Sequence, residues 1–366
     1  MSRAVITGIG CIGPSGVGTE ALVAAVRQDR PLGGIESVPT LRGRRRDMRV
    51  ARVAPFDRES YLPARKLRRM GELSQIWTIA CLLARSDAGL DSPESGADPH
   101  PPERRGTFLG TGFGCLGETW EYLEGLSRDG AAMANPFLFS ESVANAPAGH
   151  SAVELDARGH SCTFTCGDAS AAAAVAAAAS SIRDDRVTLA YCGGVELLPE
   201  PIVQVLAALG APGFLGEGCV ALVLESLDCA RARGARVYAE VAGHASASDP
   251  RCRPTEWSTD AIRMAGVMRR AVERTGDGSG VGKVFLHACG SPPAEEAEGR
   301  AVVSVFPKAE AVRASRVFGT LAAAAGFNLA LSALDASRRS SEEAVVAPAW
   351  SWGGGLFSIA LCGPPG

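Results

Sequence analysis

Short runs of β-type apolar residues recur along this chain with helix-type stretches between them, and they come in two successive sets of similar order. The first set of expected strands is Ala4 to Gly8, Thr107 to Gly110, Val187 to Cys192 and Cys219 to Glu225. The second is Val237 to Ala242, Lys283 to His287, Ala344 to Ala347 and Phe357 to Cys362. Helices are expected at Thr19 to Arg27, Leu73 to Arg85, Ala169 to Arg183, Thr259 to Thr275 and Leu321 to Ser337. Strands alternating with helices place the chain in the α/β class. The repeated order points to two related halves. Asp87 to Arg105, rich in Pro, Gly, Ser and Asp, reads as a surface loop. A chain of 366 residues that is 46% hydrophobic can bury one large or two medium domains.

Several function classes fall away early. A net charge of -3 argues against a general nucleic-acid binder. The longest apolar stretches, such as Ala169 to Ala179, are mostly alanine and too short to span a membrane. The run Arg3-Ala-Val-Ile-Thr-Gly-Ile opens the chain without a signal-peptide pattern, so a cytoplasmic location is expected. The 11 cysteines are scattered, and none forms Cys-x-x-Cys. No metal site, cofactor or disulfide framework is therefore expected.

Gly8-Ile-Gly-Cys-Ile-Gly13 fits a dinucleotide fingerprint. That fingerprint needs a helix to open at once, so that its N-terminus meets a pyrophosphate. Here Pro14-Ser-Gly16-Val-Gly18 intervenes, and no acid-ended strand follows at the expected distance. The stretch reads instead as a glycine-rich turn.

Val5 to Gly18 resembles the opening of the β-ketoacyl synthases. Phe56-Asp57, Tyr61-Leu62, Lys66 and Arg68-Arg-Met70 resemble that family's next block, and Gly110-Thr-Gly-Phe-Gly-Cys-Leu116 the one after. Asn135-Pro-Phe, Asn145 and Ala148-Gly149 resemble the segment over its active site. Gly213 to Gly218 and Trp352-Gly-Gly-Gly355 resemble two late loops. The matches keep their order from residue 4 to about residue 362. The resemblance implies a thiolase-like fold: two similar halves, residues 1–230 and 231–366, forming a five-layered αβαβα core that works as a dimer.

Such synthases carry a cysteine on a sharp strand-to-helix turn, two histidines and a lysine. Aligned on Ser181-Ile-Arg183 and Ala190-Tyr-Cys-Gly-Gly194, the nucleophile position falls on Asp168. A carboxylate cannot form the acyl thioester, whereas aspartate is a good N-cap for the alanine-rich helix that follows. Cys289 stands at the first histidine position, with His287 offset by two. Alignment on Ala323-Ala-Ala-Gly326 assigns Ser315 to the lysine position and Thr320 to the second histidine.

Four replaced positions on a preserved scaffold imply a catalytically inactive subunit. The resemblance is to a chain length factor, the partner that shapes the acyl tunnel of an active ketosynthase in type II polyketide systems. The partners so implied are a catalytic ketosynthase subunit and an acyl carrier protein bearing phosphopantetheine. Phe113, Trp120, Phe137, Phe139 and Trp352 are candidates for the tunnel and interface, with Phe137 and Phe139 on one face if extended. The basic runs Arg42 to Arg52 and Arg65 to Arg69 are candidates for docking an acidic carrier. Three alternatives stand beside this reading. One is an acyltransferase that uses the displaced thiol of Cys166 with His160 or His287 as base. The others are a malonyl-carrier decarboxylase and a scaffold protein outside polyketide chemistry.

Overall fold

The computed structural model describes residues 2–40, 43–91, 99–211, 213–273, 280–320 and 322–366, with backbone only for 322–324. Thr275 and Leu321, expected helix ends, lie outside the described residues, as do Arg42 and residues 92–98 of the expected loop.

The strands are β1 (Ala4–Gly13), β2 (Gly16–Val17), β3 (Gly34–Pro39), β4 (Arg45–Ala51), β5 (Arg105–Gly110), β6 (Ser161–Phe164) and β7 (Leu189–Glu196). They continue with β8 (Phe214–Gly216), β9 (Gly218–Ser226), β10 (Ala239–Ser248), β11 (Gly280–Phe285), β12 (Glu310–Val312), β13 (Glu343–Trp350) and β14 (Gly355–Cys362). The helices are α1 (Thr19–Gln28), α2 (Ala64–Leu67), α3 (Glu72–Asp87), α4 (Leu116–Asp129), α5 (Pro136–Glu141), α6 (Ala146–Glu154) and α7 (Ser170–Arg183). After them come α8 (Glu200–Leu209), α9 (Leu227–Ala232), α10 (Ala261–Val272), α11 (Pro292–Val305), α12 (Ser315–Phe318) and α13 (Ala322–Ala336).

The large sheet runs β6-β5-β7-β9-β1, then β10-β14-β13-β11-β12. Each half, numbered within itself, has the spatial order third, second, fourth, fifth, first. The pairings repeat too. The first strand pairs antiparallel with the fifth, and the fifth with the fourth. The fourth pairs parallel with the second, and the second with the third. Among the described residues the two halves of the sheet pair only where Val5 and Ile6 meet Glu240 and Ala239, so the sheet folds into two stacked leaves.

Helices α7 and α13 fill the space between the leaves, each touching strands of both. Helix α3 covers the outer face of the first leaf, and α10 that of the second with α11 against it. The result is five layers. Alanine dominates α7 because a helix pressed between two sheets has room for little more than a methyl group at most positions. Alanine also favours the helix intrinsically.

The glycine-rich opening is not a turn, contrary to its sequence reading: β1 runs unbroken and fully buried through Gly13. Its glycines serve close packing. A Cβ on Gly8 would strike the carbonyl oxygen of Ala84 in α3, and one on Gly10 that of Ala80. Chain reversal comes afterwards, where Gly13 pairs with Gly16.

The expected surface loop also hides an anchor. His100 is fully buried, with Nδ1 3.0 Å from the Thr188 hydroxyl and Nε2 2.8 Å from Glu225 Oε2. Arg233 donates to both oxygens of Glu225, at 2.6 and 2.8 Å, and the Thr7 hydroxyl donates to Oε1. This cluster ties the loop, β9, α9 and β1 together inside the first half.

Candidate functional site

The site lies where β6 turns into α7. Gly167 has φ 59°, and a Cβ there would strike the Ser351 hydroxyl, so the turn takes glycine. The Ser170 hydroxyl accepts from the Cys166 amide at 2.8 Å and donates to the Gly167 carbonyl at 2.6 Å, closing the turn. Asp168 sits in the short 3-10 turn Gly167–Ala169 and is only 4% exposed.

Asp168 does not cap α7. The cap position is Ala169, with no side-chain bond. The carboxylate instead accepts from Trp257 Nε1 at 3.1 Å. The physical reason is the preceding 3-10 turn, which moves residue 168 one place too early for capping.

His287 stands beside it, with Nε2 3.8 Å from Asp168 Oδ2. In the sequence alignment Cys289 stands at the first histidine position, and His287, offset by two, is one of the possible bases for Cys166. β11 ends at Phe285, and Ala288 takes a left-handed φ of 47°, so strand alternation does not apply past residue 285. The turn is held by Glu298, which accepts from the amides of His287 at 2.8 Å and Ala288 at 3.0 Å, and from Trp350 Nε1 at 2.8 Å. Burial pushes the Glu298 carboxyl up, against these donors and the nearby His287. His287 is 1% exposed, and among the described residues neither ring nitrogen has a hydrogen-bond partner. Cys289 is buried, and burial pushes its thiol well above the usual range.

Glu196, at the end of β7, accepts from the amides of Gly112 at 2.6 Å and Phe113 at 3.2 Å. Burial pushes its carboxyl up to about 8; the two amides pull the other way, and the nearby Asp168 charge adds to the rise. Phe113 packs edge-on against Trp352, with ring centroids 6.1 Å apart, and Trp352 against Trp257 at 5.3 Å. Nothing local in the sequence marked Trp257, Glu196 or Glu298.

The remaining candidates scatter. Ser315 opens α12 and is buried, while the Thr320 hydroxyl donates to the Phe214 carbonyl at 3.0 Å. Among the described residues neither hydrogen-bonds to Asp168. Cys166 is half-buried, and burial pushes its thiol up, away from the thiolate. His160 bonds to the Ser181 hydroxyl at 2.9 Å and stacks edge-on against Phe108, with no bond to Cys166 among the described residues. Among the described residues no cluster of His, Cys, Asp and Glu could hold a metal ion.

Phe137 and Phe139 lie on α5, not on extended chain, so they do not share a face. Asn135 forces the helix by accepting from the Phe137 amide at 2.9 Å. Trp120 is 55% exposed and Phe139 61%, so neither is a core aromatic. Leu116, Trp120 and Leu123 form an i, i+4, i+7 stripe along α4, all exposed, and α4 has no buried residue at all. Met133, Phe137 and Val143 extend the apolar exposure through the next segment.

Most of the first basic run serves its own subdomain. Arg46 donates to the carbonyls of Ala207 and Ala211, and Arg52 pairs with Glu36 and Glu217. Arg45 donates to Ser37 and Arg49 to the Gly33 carbonyl. In the second run Lys66 pairs with Glu154 at 2.6 Å, while Arg65, Arg68 and Arg69 are exposed.

Residues 1–212 match the family described as "Beta-ketoacyl synthase, N-terminal domain". The tetracenomycin polyketide synthase ketoacyl synthase beta subunit of Streptomyces glaucescens is 29% identical over 332 residues, 82% of this chain and 77% of that one. The 3-oxoacyl-[acyl-carrier-protein] synthase 2 of Staphylococcus aureus strain COL is 26% identical over 68% of this chain and 63% of its own length. Among solved structures, the ishigamide ketosynthase/chain length factor superposes with TM-score 0.84 at 22% identity, covering 100% of both chains. A β-ketoacyl synthase from Burkholderia phymatum STM815 also gives 0.84 at 22%, covering 99% of both. The complex AntDE:AntF, a type II carrier protein with its ketosynthase bound to the hexaketide, gives 0.81 at 20%, covering 99% of both chains.

Proposed function

The chain belongs to the β-ketoacyl synthase family, and from that premise we propose that it is a chain-length-factor-type subunit, catalytically inactive, that pairs with an active ketosynthase. The observation that carries this reading is Asp168: the sharp β6-to-α7 turn, the elbow, is formed, but it bears a carboxylate already hydrogen-bonded to Trp257. A carboxylate there offers no thiol to take an acyl chain from a carrier thioester. The resemblance to the tetracenomycin beta subunit supports the assignment, as does the fold shared with the ishigamide pair.

Two surfaces fit the pairing. The first is the free edge of β6. The carbonyls of His160 and Phe164 accept from β5, so by alternation the amide and carbonyl of Ser161 and Thr163 face outward. An unprotected edge is a template for a second chain. The second is the apolar stripe of α4 and α5. An obligate interface of this kind buries more than about 2,000 Å². The exposed Arg65, Arg68 and Arg69 suit an acidic carrier protein. No described helix is long and apolar enough to cross a membrane.

The decisive assay compares the lone chain with the co-expressed pair. Acyl-carrier and malonyl-carrier proteins are supplied, and products are read by mass spectrometry. The lone chain should form no ketoacyl product, and the pair should form it; turnover by the lone chain would overturn the proposal. His287 favours one second reading, decarboxylation of malonyl-carrier, because it keeps a donor beside the elbow. Acetyl-carrier accumulating with the lone chain would establish that activity.

The exposed aromatics give a separate test. Trp120→Ala or Phe139→Ala should leave the lone chain's stability within about 1 kcal/mol, because neither fills the core. In the pair each should change product length or complex yield. If both variants give the original product at the original yield, these residues have no part in the interface or tunnel.

A further inference from the structure

A cleft of about 920 Å³ opens beside the elbow, lined by Arg251, Thr255, Trp257, Asp260, Ser291 and Arg300 among others. Asp168, His287 and Cys289 are not in its lining; all three are buried. Trp257 belongs to both places. The residue lines the cleft, while its indole N–H donates to Asp168 at 3.1 Å. The ring is braced from the side by Trp352, and Trp352 by Phe113. Phe113 is fixed in turn, because its amide and that of Gly112 donate to the buried Glu196. Trp257 is therefore a wall of the cleft, backed by Trp352 and Phe113 and bonded to Asp168.

Behind that wall His287 has capacity to spare. Both ring nitrogens are buried, and among the described residues neither has a hydrogen-bond partner. Buried polar groups are nearly always satisfied, so an unpaired imidazole beside a carboxylate marks a place built to meet a polar group. Aspartate suits the closing role: a carboxylate oxygen is a good acceptor for an indole N–H, whereas a thiol is a weak one.

We propose that Trp257 is a specificity-determining residue, latched by Asp168, that closes this chain's own elbow to a pantetheine-thioester arm. An arm brought to the pair is thereby left with one elbow to enter, that of the catalytic partner. The identity of the arm and of the partner rests on the pairing proposed above; the closure itself does not.

The test reads accessibility, not turnover. Diethyl pyrocarbonate is added to the full-length chain, and each histidine is followed by peptide mass spectrometry. In the unchanged protein His287 should resist modification, as should His100, which is fully buried in its own cluster and serves as the internal control. Trp257→Ala should raise the His287 rate at least about tenfold with His100 still protected, since exchange then needs no opening of the wall. Asp168→Ala, which keeps all three rings but removes the acceptor, should raise it in the same direction. Rapid modification of His287 in the unchanged protein would overturn the proposal. So would an unchanged rate in Asp168→Ala or Trp257→Ala while His100 stays protected. If Trp257→Ala also exposes His100, its packing has failed, and Asp168→Ala decides. A failed heterodimer leaves this readout unmoved, whereas a still-protected His287 removes the closure and leaves the pairing intact.

Discussion

Arg233→Ala is expected to cost the fold about 3–5 kcal/mol, the usual effect of leaving one partner of a buried ion pair alone. Glu225 is fully buried, and the Arg233 side chain is only 5% exposed, so solvent screens neither. Burial by itself would raise the Glu225 carboxyl. Hydrogen bonds from Arg233, His100 and Thr7 outweigh burial and bring it down to about 2. An unfolded glutamate titrates near 4.3, so this depressed group adds about 3 kcal/mol of stability at neutral pH. The contribution is fully present above about pH 4.3 and is lost as the pH falls toward about 2. Urea denaturation followed by tryptophan fluorescence measures both effects. The variant should unfold at markedly lower urea, and its stability should fall less steeply between pH 4 and pH 2. A loss under about 1 kcal/mol at neutral pH would show that the cluster relaxes around the missing guanidinium.

Thr163→Pro should abolish pairing with a ketosynthase while leaving this chain folded. The outward amide of Thr163 takes no part in the β5–β6 ladder, so its loss costs little within the subunit. Across a strand-paired interface the same change removes a donor and sets a pyrrolidine ring against the partner backbone. Co-expressed chains run on size-exclusion chromatography should shift from a complex to separate species. The variant's thermal unfolding should match the unchanged chain within a few degrees, about what 1 kcal/mol moves a chain of this length. A Thr163→Pro complex that elutes intact would move the interface away from β6. Loss of the complex in Cys162→Pro would not carry the same meaning, because residue 162 bonds inward and its change breaks the sheet itself.

Much of the architecture was legible along the chain. The eight expected strands all lie in or overlap observed ones, because each is a run of β-type apolar residues bounded by glycine, proline or polar breakers. The observed strands extend past several of those bounds, as β1 does through Gly13 and β10 through Ser248. Glycine weakened the strand pattern at Gly8 and Gly10, yet it is present there because α3 presses its backbone onto β1. A strand near Ser161 to Thr165 was expected, and β6 lies there, whereas the strands β2, β3, β4, β8 and β12 were not expected. Their runs are brief or polar, and they persist only through the strands beside them.

Local pattern fails wherever a contact spans the chain. Asp168 and Trp257 are 89 positions apart, and Glu298 reaches back 11 and 10 residues to the amides of His287 and Ala288. The fate of His287 depended on a left-handed residue after the strand, which shifts the side chain off the alternating pattern. The exposure of Trp120 is a tertiary fact as well, since an amphipathic helix does not say in advance whether its apolar stripe meets this chain or another.

The sequence by itself determined most of the strand and helix menu, the doubling of the fold and the aspartate at position 168, because each is written in contiguous residues. Only the tertiary structure decided what Asp168 does instead. Its hydrogen-bond partner arrives from the other half of the molecule, and that meeting depends on how two leaves of sheet stack around α7 and α13.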